Sequence, residues 1–163
     1  TMNPGATVIY EDDLAQQGRV RSWFTGMLGR DYTSRVAAVE LFYPTDAELR
    51  LVSRFAALAE LRLIRAVDVT ATGLGDLANL KSLHTLVLDD GWNLDDRAMD
   101  QLARLKSLDK LTLDTGPRVT SAGVMKLAAL TRLTRLSLEG PDQQVIEKLR
   151  TLLPHCAINV PAT

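Results

Sequence analysis

The chain has 163 residues and a mass of 17.9 kDa, and 46% of its residues are hydrophobic, enough to bury a core within one domain. Nineteen basic residues stand against twenty acidic ones, the pI is near 6.1, and 5% of residues are aromatic. This composition excludes a largely disordered chain and disfavours a nucleic-acid partner, which selects basic surfaces and stacking aromatics. One cysteine leaves the redox compartment undecided.

No stretch approaches the ~20 consecutive apolar residues that a membrane span needs, so we expect a soluble chain without direct membrane insertion. The opening Thr1-Met2 looks like a boundary left by the removal of an upstream segment rather than a natural start. Localisation is therefore open between the cytoplasm and a longer membrane-anchored or exported protein.

In chain order, the first predicted elements are a short strand at Ala6–Tyr10 and an amphipathic helix. The apolar face of this helix recurs at helical spacing and consists of Val20, Trp23, Phe24, Met27 and Leu28. If the rest of the chain is a stack of repeats, the helix covers its open end. A helix that binds a partner or a membrane surface is the alternative, and few basic residues on its polar face disfavour the membrane.

From residue 58 onward the sequence repeats itself every 25 residues. Three leucine columns keep this step: Leu58, Leu83, Leu108 and Leu133; Leu61, Leu86, Leu111 and Leu136; and Leu63, Leu88, Leu113 and Leu138. Each unit therefore contains Leu-x-x-Leu-x-Leu. Val36, Val39 and Leu41 carry the same strand pattern 22 residues earlier, as a shorter first repeat.

A second set of apolar columns predicts a short helix after each strand. Its columns are Val69, Leu94 and Val119; Leu74, Met99, Val124 and Leu149; Leu77, Leu102, Leu127 and Leu152; and Leu80, Leu105 and Leu130. The last three are spaced by three residues, close to a helical turn. Thr70, Asp95 and Thr120 share the column before the helix and are expected to be its N-caps. A last helix at Glu147–Leu153 and a closing strand with Ile158 and Val160 complete the stack.

The repeats resemble a bacterial leucine-rich-repeat family of a type abundant in planctomycetes. The resemblance rests on the helix-start segments Val69–Leu74 and Val119–Val124, on the ending Leu152–Ile158 and on the lead-in Gly5–Val8. It implies a parallel α/β solenoid used in protein recognition, and no particular ligand. The column that often holds Asn or Thr in such repeats departs from the pattern, with Ala66, Gly91, Gly116 and Pro141, so the turns need other supports.

The predicted fold is therefore α/β, a leucine-rich-repeat solenoid with a short parallel sheet on its concave face and short helices on its convex face. We divide its single structural domain into an N-terminal cap at 1–35, about five repeats at 36–155, and a closing strand and tail at 156–163.

Side chains that alternate with the inward leucines point outward and form the concave face. We expect a protein partner to bind this face and the adjoining loops. The candidate contact residues are Phe42, Tyr43, Glu60, Arg62, Ile64, Thr85, Val87, Asp89, Trp92, Lys110, Asp114 and Arg135. Large apolar side chains at Phe42, Tyr43 and Ile64 indicate an interface, unless the cap or a loop covers them. Trp92 is either a binding anchor or packed on its own loop.

No catalytic, cofactor or metal site is predicted. His155 and Cys156 are too few for a zinc site, and Gly73–Ala78 follows the repeat register rather than a dinucleotide-binding setting. Asp89–Asp96 lacks the ligand order of an EF-hand. The function expected from the sequence is thus protein recognition without enzymatic activity. The alternative is a structural spacer or scaffold domain of a longer bacterial chain, including one anchored to a membrane. The concave face alone supplies fewer residues than a standard interface and would bind weakly.

Overall fold

The computed structural model describes residues 37–160 and shows an α/β fold built on one parallel sheet. Its six strands are β1 Ala38–Phe42, β2 Glu60–Ile64, β3 Thr85–Leu88, β4 Lys110–Asp114, β5 Arg135–Glu139 and β6 Ala157–Asn159. They lie side by side in chain order, and all neighbours are parallel. The predicted α/β class and parallel sheet are confirmed. The predicted strand at Ala6–Tyr10, the amphipathic helix and the cap at 1–35 lie outside the described residues.

A short helix joins each pair of neighbouring strands. The five helices within 37–160 are α1 Asp46–Val52, α2 Ala71–Asp76, α3 Asp96–Leu102, α4 Ser121–Met125 and α5 Gln143–Leu152. Helices α2 and α4 tighten into 3-10 turns at Leu77–Asn79 and Lys126–Ala129. The three-residue spacing of the apolar columns fits these tighter turns, which have three residues per turn.

The 25-residue step of the sequence is also the register of the sheet. Glu60 pairs with Thr85, Thr85 with Lys110, and Lys110 with Arg135, so each residue lies beside its equivalent in the next repeat. Between β1 and β2 the step is 22, as in the pairing of Val39 with Leu61. Equivalent leucines are consequently neighbours on one face of the sheet.

That leucine face and the helices enclose one core. The twelve leucines of the Leu-x-x-Leu-x-Leu motifs are at most 2% exposed, and the inward helical columns pack against them. Each buried leucine contributes about 1.5–3 kcal/mol relative to exposure. The core is therefore continuous across the repeats, and each repeat depends on its neighbours.

The predicted N-caps are confirmed. Thr70, Asp95 and Thr120 each accept a hydrogen bond on their side chain from a backbone N–H in the first turn of α2, α3 and α4 respectively. Helix α5 has its own cap, Asp142, which accepts from the N–H of Gln144. The last helix accordingly begins at Gln143, earlier than the predicted Glu147.

The prediction that Leu152 of α5 is a core residue is wrong. Leu152 shares a sequence column with inward leucines, yet it is 54% exposed, and Leu153 is buried in its place. Helix α5 is longer than the preceding helices and begins three residues earlier in its repeat, and at its end Leu153 packs into the core while Leu152 points to the solvent. The absence of a 3-10 turn is not the cause, because α3 also lacks one and its equivalent residue, Leu102, is fully buried.

Two aspartates join successive repeats at the helix starts. The N–H and hydroxyl of Thr70 donate to the carboxylate of Asp46 at 2.9 and 2.6 Å. Those of Thr120 donate to Asp96 at 2.8 and 2.7 Å, which lowers the pKa of Asp96. The equivalent positions at the starts of α2 and α4 are Ala71 and Ser121, which have no carboxylate. The contact therefore links only the first repeat to the second and the third to the fourth.

Each of these aspartates lies directly over a buried glycine of the next helix. A Cβ at Gly73 would overlap the carboxylate of Asp46, and one at Gly123 would overlap that of Asp96. The sequence column of these glycines therefore alternates, with glycine only where an aspartate approaches from the preceding repeat.

The turns after the strands have no Asn or Thr at the position where such repeats often carry one. Glycines and two other side chains support these turns instead. A Cβ at Gly116 would lie 2.8 Å from the carbonyl oxygen of Gly91, so the two turns can stack this closely only without side chains. The amide of Asn93 donates to the carbonyl of Val67, and the Thr115 hydroxyl donates to that of Glu139 at 2.6 Å. These contacts link neighbouring repeats.

We predict opposite effects for alanine at two helical glycines. Gly123→Ala should destabilise by about 1–3 kcal/mol through overlap with Asp96. Gly75→Ala should stabilise by about 0.5–1 kcal/mol, because only the flexible end of Gln101 is near it. Urea unfolding measures both changes. Adding Asp96→Ala should make the cost of Gly123→Ala smaller, and an unchanged cost would contradict the overlap.

We also expect Asp96→Ala to be less stable than the native chain in a pH-dependent way. A lowered pKa in the folded state gives a contribution that is present above the usual aspartate pKa of about 4 and is lost as pH falls below it. The gap between the two melting temperatures should thus narrow towards pH 3. A constant gap would show that the ionised carboxylate is not what stabilises the helix start.

Candidate binding face

We use the name open face for the side of the sheet opposite the leucines. Its outward strand positions are exposed or half-buried, whereas the leucines between them are buried. Of the candidate residues, Glu60, Arg62, Lys110 and Arg135 are exposed, and Thr85 and Val87 are half-buried. The register brings Glu60, Thr85, Lys110 and Arg135 into one row across four strands. The row places two basic side chains next to each other on β4 and β5.

At the β1 end of the open face, the apolar candidates are only half exposed. Phe42 and Ile64 are register partners, and both are half-buried. Tyr43 accepts a hydrogen bond from the guanidinium of Arg65, which also lies 5.4 Å from the centre of its ring. Arg62 forms an ion pair with Glu40 at 3.7 Å. The side chains of this end thus already contact one another.

The loops at the carboxyl ends of the strands differ in length. Those after β2, β3 and β4 span 65–70, 89–95 and 115–120, whereas those after β1 and β5 span only 43–45 and 140–142. Trp92 lies in the middle long loop, with 59% of its surface exposed. Its indole N–H points to a carboxylate oxygen of Asp90 at 3.4 Å. The contact with its own loop leaves most of the ring accessible.

The unequal loops leave a cavity of about 300 Å³ between the fourth and fifth repeats. The short loop 140–142 does not cover the long loop before it, so Val119 is half-buried where the equivalent Val69 and Leu94 are fully buried. Backbone and hydroxyl groups around Thr115, Thr120 and Ser121 also line the cavity.

Four carboxylates gather beside Trp92 at the ends of β3, β4 and β5. Carboxylate oxygens of Asp89, Asp90 and Asp114 lie within 4.8 Å of one another, and Glu139 is the register partner of Asp114. Burial, and then the charges of Glu139, Asp90 and Asp89, raise the pKa of Asp114. The 25-residue step of the sequence already predicts Asp89, Asp114 and Glu139 as one acidic column at the strand ends, and the structure adds Asp90 to this group.

The carboxylate oxygens are close enough together to bind one cation. The simpler interpretation of the group is a local concentration of negative charge. Exposed acidic groups of this kind are common without a metal. Elsewhere, burial raises the pKa of the Cys156 thiol, which favours the neutral form over the reactive thiolate. His84 hydrogen-bonds through Nδ1 to the carbonyl of Ser107 at 3.0 Å. It is therefore not paired with the cysteine.

Comparison with known proteins gives no identification: no protein-family model matches the chain, and no curated protein matches it significantly. Among residues 37–160, no helix is long and apolar enough to cross a membrane.

We predict that Asp114→Asn stabilises the chain at neutral pH. A raised pKa in the folded state means that stability is fully present below the unfolded pKa of about 4 and is lost as pH rises through the folded value. Asparagine removes a charge that is disfavoured by burial and then by the neighbouring carboxylates, and it keeps a side-chain oxygen of similar size and position. The melting temperature of the variant should exceed the native one at pH 7 and converge with it near pH 3.

The control for this measurement is Glu147→Gln, which removes one negative charge from the exposed side of α5. It should show no comparable gain. Equal gains in both variants would mean that net charge, and not the proximity of the four carboxylates, limits stability.

Proposed function

We propose that this chain is a leucine-rich-repeat solenoid of the bacterial type and that it serves as a protein-recognition module. Its partner binds the open face, which is the concave face of such a solenoid, together with the long loops at the carboxyl ends of the strands. The 25-residue step, one parallel strand per repeat and the stacked leucines support the repeat assignment.

The observation that carries the recognition role is the contrast between the two faces of the same strands. The inward row through β2 to β5 is leucine in every repeat, at Leu61, Leu86, Leu111 and Leu136. The adjacent outward row is Glu60, Thr85, Lys110 and Arg135. Stacking of the repeats requires the same apolar residue at each position of the inward row. It does not restrict which residues occupy the outward row. A surface whose charge and size change at each step is suited to recognising one specific partner surface.

The size of the face sets a limit on affinity. Six strands at about 4.8 Å spacing give a narrow sheet, and a standard interface uses about 20 to 30 residues on each side. The open face alone supplies fewer. Trp92 and the loops 89–95 and 115–120 enlarge the contact area, and an exposed tryptophan is a residue type that often dominates binding energy.

The experiment is capture of a partner from lysate of the source organism, followed by titration of the purified partner. The test variant is Arg62→Glu/Trp92→Ala, and the matched control is Arg97→Glu/Leu152→Ala, which makes the same kind of changes at exposed helix positions. We expect the control to retain the partner and the test variant to bind at least about tenfold more weakly.

Circular dichroism and thermal melting establish that both variants fold. If neither variant loses binding, or if no protein is captured specifically, the recognition role is contradicted. A spacer or scaffold role in a longer chain would then take its place.

A further inference from the structure

Charged side chains are segregated between the two edges of the sheet. At the carboxyl edge, formed by 42–46, 64–71, 89–96, 114–121 and 139–142, nine acidic residues stand against two arginines. At the opposite edge, formed by 53–60, 77–85, 103–110, 126–135 and 153–157, eight Lys or Arg residues stand against two acidic ones. The net charge of -1 therefore conceals two surfaces of opposite sign.

The helices account for only part of the acidic edge. Asp46, Asp95, Asp96 and Asp142 cap helix starts or bind the threonine of the next repeat. Negative charge is also favourable at helix N-termini, which all lie at this edge. The remaining five carboxylates are Asp68, Asp89, Asp90, Asp114 and Glu139, and none of them forms an ion pair with a side chain among residues 37–160.

Four of these five surround the loop of Trp92, and we call them the rim carboxylates: Asp89, Asp90, Asp114 and Glu139. Burial and, after it, the charges of Glu139, Asp90 and Asp89 raise the pKa of Asp114, so the ionised form of Asp114 opposes folding. Arg65 donates its side-chain hydrogen bond to Tyr43, and the charges of Asp90 and Asp89 act on it without a direct ion pair. Neither helix capping nor the core requires this concentration of charge.

Trp92 adds a second kind of contact at the same place. Its ring is mostly exposed, and the ring edge that carries the N–H is turned towards Asp90, so the accessible ring lies close to these carboxylates. An aromatic face attracts Lys and Arg, and carboxylates pair with the same cations. A basic side chain can therefore satisfy both features at once.

We propose that the rim carboxylates and Trp92, at the edge of the open face, dock a Lys/Arg-rich extended segment of the protein partner; this inference rests on the proposed function. Charge complementarity selects this occupant. Asp114 and Glu139 are register partners on neighbouring strands about 4.8 Å apart, and Asp89 directly follows Leu88, the partner of Leu113. Alternate side chains of an extended peptide are about 6.8 Å apart. The rim thus has room for two or three basic side chains.

The probe is a capped peptide of roughly ten residues in which Arg and Lys alternate with Gly and Ser, with a matched peptide that has Gln in place of the basic residues. Calorimetry measures affinity, and amide chemical shifts of the full chain locate the contact. We expect only the basic peptide to bind, with shifts in 89–95, 114–120 and 139–142. Binding should weaken when salt rises from about 50 to about 300 mM.

The rim variant is Asp89→Asn/Asp114→Asn/Glu139→Gln, and its control, Asp76→Asn/Asp100→Asn/Glu147→Gln, removes three charges from the helix side. We expect the rim variant to lose about tenfold or more in affinity, Trp92→Ala to lose several-fold, and the control to bind as the native chain does. Equal affinity of native, rim and control chains would overturn the inference, because binding would then reflect net charge alone.

A calcium titration serves as the remaining arm. If calcium shifts the rim amides and the basic peptide does not bind, the carboxylates are a cation site and the inference is wrong. The two proposals fail separately. A partner that is lost by Arg62→Glu/Trp92→Ala but unaffected by the rim variant would leave the recognition role intact and contradict only the basic segment.

Discussion

A single strand–turn–helix unit of this chain cannot remove its leucines from water without a neighbouring unit. Each unit offers one strand and one short helix, and the side chains between them are sealed only when the next strand pairs in register. The 25-residue step is therefore a physical requirement, because a register shift would turn leucines to the solvent. The continuous core, the parallel sheet and the open face all follow from this stacking.

The contacts at the helix starts refine the stacking beyond a simple repeat. Asp46 and Asp96 each bind the capping threonine of the following repeat, over a glycine that leaves space for the carboxylate. The leucines alone would permit any neighbouring repeats to associate. The alternation of aspartate and glycine distinguishes one junction from the next, so it favours the register in which consecutive repeats stack.

The same geometry produces a surface with pronounced differences in charge. In a parallel sheet all strands end at one edge, where the helices begin, and aspartates are favourable at helix starts. The rim carboxylates extend this acidic edge beyond what the helices use, next to an exposed tryptophan. Stability is lost where like charges approach, and a site that binds a basic partner has a reason to retain them. The face and the rim would then form one continuous recognition surface.

The sequence by itself determined the strands of the repeats, the presence of a helix after each strand, the 25-residue register and the inward leucines of the strands, because stacking repeats the same local pattern. It also located Thr70, Asp95 and Thr120 as caps, since capping depends on neighbouring residues in the chain. Only the tertiary structure decided that Asp90 joins Asp89 and Asp114 in one group, that Arg65 binds Tyr43, and that Leu152 turns outward. These features depend on contacts between repeats and on small changes in loop length and in the residue where a helix begins, which the pattern within one repeat does not contain.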